Sequence, residues 1–272
     1  MKRCLIFMFF LLFAAAGANA DGIYLKNNVF RHGETAKFNL YFNWGFIWIH
    51  AGDVDFSVQT QKLDGKEVYS LKVIGYTIST FEKMYHIRDT FEAFVDTVHT
   101  IPLRYREAKH EGSYYAKSNY IYNKKEDSFL VYMDFIRRKR QWKDTMSIRQ
   151  HVADLITTCY RVRNLDISKL SKNQIVPFPM LFDDKVYDLG LTYIGKENIE
   201  LRNGKKYHAH KFTPKLITGD LFKKDEDMTI YVSDDGNHIP LLVEAKIKVG
   251  YIKAVLAEAK NTKLPMKSLI SK

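Results

Sequence analysis

The chain has 272 residues, 46% of them hydrophobic, and a formal charge of +11. That apolar share excludes a disordered chain, and the length suffices for one large β domain or two small ones. The positive surplus attracts anionic partners through its long-range field, although net charge does not locate a patch.

In chain order, the first twenty residues have the form of an export signal. Met1-Lys2-Arg3 is a basic n-region, Cys4 to Ala16 is an almost unbroken apolar run, and Ala18-Asn19-Ala20 is a small-x-small cleavage site. The run falls short of the roughly 20 apolar residues that span a bilayer, so cleavage is expected and a retained anchor is the lesser alternative. Cys4 opens the run, far from the cleavage site, and does not mark a lipoprotein site. Loss of Lys2 and Arg3 lowers the formal charge by two, to +9. In an envelope compartment the anionic partners are lipid headgroups, lipopolysaccharide phosphates and acidic glycans, and nucleic acid is not expected. Only Cys159 then remains, so no disulfide forms within the chain.

An aromatic share of 14%, with alternating patterns and frequent turn signals, favours antiparallel strands. Residues 36–44 and 46–60 read as a hairpin around Gly45, and strands follow at 67–76, 87–95, 103–109, 114–122 and 128–136. One helix is predicted over 148–163. Ser147 would cap it, and Ile148, Val152, Leu155, Ile156 and Cys159 would form its apolar stripe. Strands resume at 174–182, 185–194, 197–201, 206–212, 228–232, 239–249 and 251–259, with Asn203-Gly204 and Asp235-Gly236 as turns. The tail 263–272 is expected to be loose. The fold class is therefore mainly β: a large curved antiparallel sheet, an incompletely closed β-barrel or two facing half-sheets, with one central amphipathic helix. Residues 21–272 count as one domain.

Motifs for catalysis are sparse. Asp234-Asp235 is an acidic pair, but adjacent strand residues point to opposite faces, so a turn closed by Ser233 and Asp235 is the expected role. His208-x-His210 puts two imidazoles on one strand face without a third ligand, which predicts a surface pair and no metal. Cys159 lies on the apolar stripe as a small hydrophobe, and neither a nucleophile elbow nor a phosphate cradle is present, so no cofactor is expected. Two stretches suit binding. Arg137, Arg138, Lys139, Arg140 and Lys143, with Trp142 among them, match phosphate or other anionic groups at a membrane interface. A solvated β-turn, or an edge strand kept from aggregating by charge, explains the same run equally well. Trp44, Phe46 and Trp48 offer more apolar surface than one core face needs, for a lipid cavity or for burial on both sides of the sheet.

Phe30-x-x-Gly33-Glu34 and Tyr41-x-x-Trp44-Gly45, followed by Gly52, resemble the opening of exported bacterial proteins grouped as domain of unknown function 3108. Asp89 to Asp96 and the helix Asp154 to Arg163 fit its middle. Gly219-x-x-Phe222, Val232-Ser233-Asp234-Asp235 with Pro240, and Gly250 are similar to its closing signature. Tyr231 stands where Trp is commoner and His238 where Arg is commoner. The resemblance implies an exported, mostly antiparallel β protein of the Gram-negative envelope, with an open curved barrel like those of lipoprotein-localisation carriers. It carries no settled activity. The expected function is a periplasmic, non-enzymatic binding protein for an amphipathic, anionic lipid or glycolipid, with peripheral membrane contact. An adaptor binding a protein partner through sheet edges is the alternative. A glycan or peptidoglycan hydrolase using Glu34, Asp89 or Asp234 comes third and needs two carboxylates converging in one cleft.

Overall fold

The computed structural model describes residues 26–44, 47–83, 85–216, 228–247 and 250–271. The leader over 1–20, the Gly45 turn, Phe46 and the Gly219-x-x-Phe222 motif lie outside the described residues.

Long alternation of apolar and polar residues commits the first half to a meander. It comprises β1 (Thr35–Trp44), β2 (Ile47–Leu63), β3 (Lys66–Thr77), β4 (Ile87–Asp96), β5 (Pro102–Glu111), β6 (Tyr114–Lys124), β7 (Ser128–Arg137) and β8 (Arg140–Arg149), each paired antiparallel with the next. A short helix, α1 (Ser79–Glu82), links β3 to β4. In β6 the alternation separates two faces: Ala116, Ser118, Tyr120 and Tyr122 are buried while Lys117 and Ile121 are exposed. Tight turns hold the register. Asp64 and Gly65 join β2 to β3 at φ +49° and +81°, the left-handed region that such hairpins demand.

The second half holds β9 (Ala153–Asp154), helix α2 (Leu155–Val162), β10 (Ile175–Pro177), β11 (Met180–Phe182), β12 (Lys185–Tyr187), β13 (Leu189–Glu200), β14 (Lys206–Leu216), β15 (Met228–Ser233), β16 (Pro240–Ile247), β17 (Gly250–Lys260) and β18 (Leu269–Ser271). Because β17 pairs with β1, one continuous sheet runs from β10 through β13–β17 and then β1–β8. Its ends, β10 and β8, do not pair with each other, so the sheet stays open. The fold is mainly β and antiparallel, with one continuous sheet and not two separate halves. Helix α2 packs on β3 and β4 on one side and on β11, part of a small separate sheet, on the other. The core is one continuous cluster in which Tyr105, Tyr120, Phe30 and Phe91 are 2% exposed or less. Each such side chain contributes about 1.5–3 kcal/mol by leaving water.

Three expectations need correction. The helix is shorter than 148–163 and is capped by Asp154, not Ser147; the Asp154 carboxylate accepts the Thr157 N–H at 2.9 Å and its hydroxyl at 2.8 Å. Ser147 and Ile148 belong to β8, where Ile148 is buried opposite Phe129. The segments 174–182 and 185–194 are each broken, giving β10 with β11 and β12 with β13, whereas 197–201 continues β13 past a bulge at Gly195, φ +137°. The tail is not loose. Leu264 exchanges hydrogen bonds with the Asn237 side chain, Asp235 accepts from Ser268, and β18 adds to β14.

Candidate functional site

Three of the segments that resemble the family meet at one guanidinium. Arg163, at the end of α2, donates from Nη1 to Glu34 Oε1 at 2.6 Å and from Nη2 to Glu34 Oε2 at 3.2 Å. Its Nη2 also donates to the Val29 carbonyl, its Nε donates to the Asn237 carbonyl, and it lies over the rings of Phe30 and Tyr160. The opening segment, the helix and the 233–240 turn are thereby clamped together in the core.

The turn divides the acidic pair by role. Asp235 is a hub: its Oδ1 accepts from the Ser233 hydroxyl and the Asn237 N–H, and its Oδ2 accepts from Ser268 at 2.6 Å. The Ser233 Oγ accepts the Ile239 N–H at 2.9 Å, and Pro240 opens β16. Asp234 turns the other way. Its Oδ2 lies 2.7 Å from Lys196 Nζ on β13 and its Oδ1 lies 2.9 Å from His210 Nε2 on β14. His210 Nδ1 in turn accepts the Tyr193 hydroxyl proton at 3.1 Å. His238 donates from Nδ1 to the Arg163 carbonyl at 2.7 Å, and its ring centroid is 6.3 Å from that of His210.

These groups line a cavity of about 250 Å³, with Ile167 and Leu170 as its apolar wall. Burial works against the Asp234 charge, yet Lys196 and His210 outweigh it and hold the carboxyl below its usual range. Burial lowers the pKa of both His210 and His238, although Asp234 pulls His210 the other way and the Arg163 carbonyl opposes the shift at His238. Both shifts favour the neutral imidazole. His210 departs from the expected surface pair: it shares a face with His208 but is 5% exposed, covered by the cavity's groups.

The basic run is split by the β7–β8 hairpin. Arg137 is drawn inward, pairing with Glu107 and Asp183, donating to Ser118 Oγ at 2.8 Å, and lying over Phe135 and Trp142. Arg138, at φ +56°, and Lys139 form the turn; both are exposed, as is Arg140. None of these three has an acidic partner among the described residues, and Arg138 lies over the Tyr114 ring. Trp142 is 36% exposed and stacks on Phe135, with centroids 5.0 Å apart. Lys143 pairs with Asp134 at 3.3 Å. Strand β8 is an edge, exposed along nearly its whole length. Of the aromatic hairpin, Trp48 is half-buried beneath the Lys253 ammonium, 4.8 Å from the ring centroid. The Trp44 side chain and Phe46 lie outside the described residues.

A model for a protein of unknown function (DUF3108) matches residues 37–257. The chain belongs to the DUF3108 family. No curated protein matches it. Among solved structures it is similar to the beta-barrel-like protein of domain of unknown function DUF1849 from Brucella abortus. The two share 10% identity with a TM-score of 0.54, over 85% of this chain and 98% of that one. At that identity the likeness shows the fold alone.

The three acids considered for hydrolysis in this DUF3108 chain have separate partners. Glu34 is held by Arg163, Asp234 by Lys196 and His210, and Asp89 accepts the His110 N–H on β5. No trio of His, Cys, Asp and Glu among the described residues is placed to hold a metal ion. Tyr193 and Lys196 carry no sequence signal as site residues. The β13–β14 register sets Tyr193 opposite Phe212 and Lys196 opposite His210, and the 233–240 turn brings Asp234 and His238 to them. Asp234 was traceable from the acidic pair, His210 from its spacing to His208, and His238 only as a departure from the family pattern.

Proposed function

We propose that this DUF3108 protein is exported to the periplasm and binds, without catalysis, an amphipathic anionic lipid or glycolipid of the envelope. The contact is made at the surface, through the β7–β8 hairpin. One observation carries the proposal: Arg138, Lys139 and Arg140 project from an open sheet edge with no acidic partner among the described residues, beside a part-exposed Trp142. Arginine forks match phosphate oxygens, and an indole half in water suits the headgroup layer. Helix α2 and the small sheet pack against the main sheet within one continuous core, which favours a headgroup contact over an acyl chain held inside. The same charges discourage strand addition, and the Asp144 carboxylate accepts the Thr145 N–H at 2.7 Å along the edge strand. A protein partner adding a strand would meet both obstacles.

Each basic residue near an anionic surface is worth about 1 kcal/mol, so the three free cations supply roughly 3 kcal/mol, a factor above one hundred. Co-sedimentation with phosphatidylglycerol-containing vesicles should therefore show binding that weakens with salt and is lost in a combined Arg138→Ala, Lys139→Ala, Arg140→Ala variant. Equal binding to purely zwitterionic vesicles, or none to either, would remove the proposal.

A further inference from the structure

The cavity beside Asp234 is built from elements far apart in the chain, and its groups are fixed before any ligand arrives. Tyr193, His210, Asp234 and Lys196 form one hydrogen-bonded line in which both nitrogens of His210 are occupied. His238 differs from them. Its Nδ1–H is committed to the Arg163 carbonyl, so Nε2 carries the lone pair, and no described residue bonds it. The residue holds φ +45°, an unfavourable backbone state for a side chain with Cβ, and such outliers cluster where a group must be aimed.

The lining also selects by charge. Asp166, Asp234 and Asp235 face the space; Lys169 pairs with Asp166 and Lys196 with Asp234, which leaves one carboxylate in excess. A phosphate or carboxylate would be repelled there. An acyl chain has nothing to offer the His238 acceptor, the carboxylates or the Lys196 donor. The volume of about 250 Å³ lies below the usual range of roughly 300–1,000 Å³ for drug-sized pockets. A small neutral molecule with several hydroxyls meets every condition. Its O–H groups donate to His238 Nε2 and the carboxylates, its oxygens accept from Lys196, and its C–H face rests on Ile167 and Leu170.

We infer that this cavity is a binding site for one neutral sugar unit, with His238 Nε2 as the acceptor that orients it. The site is independent of the β7–β8 hairpin, so failure of vesicle binding leaves it standing, and its own failure leaves the hairpin contact standing.

The test follows the imidazole resonances of His238 and His210 by NMR while the protein is titrated with methyl glucoside or N-acetylglucosamine. The expected result is a saturable shift with a dissociation constant of about 1 mM, ordinary for a single sugar with few contacts. Two variants separate binding from folding. Asparagine tolerates the left-handed backbone, so His238→Asn keeps the turn while removing Nε2; Lys196→Ala alters a 64%-exposed side chain. Both should weaken sugar binding at least about tenfold while the protein stays folded, the loss expected when a hydrogen-bond partner of the ligand is removed. No shift with either sugar overturns the inference. So does a shift produced equally by methylammonium or by inorganic phosphate, or sugar binding that persists undiminished in His238→Asn.

Discussion

Glu34 and Arg163 stand 129 residues apart, yet their side chains meet as a two-pronged ion pair only 2% and 8% exposed. Breaking a buried pair by removing one partner leaves an uncompensated charge and costs about 3–5 kcal/mol. Arg163→Met should lower the unfolding free energy by that amount, read as a lower urea midpoint at unchanged slope, and Glu34→Leu in the same chain should restore much of the loss. Asp89 is the opposite case. It is fully buried, its Oδ1 accepts the His110 N–H, and its Oδ2 has no partner. Burial first, and then the charge of Glu111, push its pKa up to about 7. The folded protein keeps a proton that the unfolded chain releases near pH 4, so this group's contribution to stability falls as pH rises from about 4 to about 7. Asp89→Asn should stabilise by about 4 kcal/mol at pH 8 and by almost nothing at pH 4. Urea unfolding at the two pH values checks this, and an equal gain at both would contradict it. The charge pattern of the sequence announced none of these roles, because Glu34, Asp89 and Arg163 acquire them only through partners brought together by the sheet.

At the scale of elements, local chemistry was legible wherever it governs structure. Alternation located most strands, and Asn203-Gly204 marked the β13–β14 turn. The helix start was misjudged because Ile148 and Val152 continue the stripe of Leu155 and Cys159 by coincidence. Ile148 is buried through pairing with β7, and the real cap is Asp154. Strand β8 was legible only as the edge-strand alternative for the basic run, because an edge with both faces in water needs no apolar alternation. The tail has too little apolar pattern to predict its docking, which rests on polar side chains of the 233–240 turn. Ser268→Ala removes a charge-assisted hydrogen bond to Asp235 and should cost about 1.5–3 kcal/mol, read as a lower melting temperature. Unchanged stability would mean that the tail is held by β18 pairing alone.

For the whole molecule, a continuous sheet wrapped on one core predicts a single cooperative transition. Cys159 reports on it. Burial pushes its thiol pKa far up, so it should resist alkylation in the native state and react only as the protein unfolds. Labelling that precedes the loss of β-sheet circular dichroism would show α2 opening on its own. The two proposed sites lie apart, the exposed cations at the β8 edge and the polar cavity beside the 233–240 turn. The central claim concerns that edge, and Trp142 is its natural probe. In a chain carrying Trp44→Phe and Trp48→Phe, Trp142 is the remaining tryptophan of the original three. Its fluorescence should shift to the blue when anionic vesicles are added and return at high salt, as an indole enters and leaves the headgroup layer. Emission that stays unchanged, or shifts equally with zwitterionic vesicles, would contradict an anionic membrane contact at the β7–β8 hairpin.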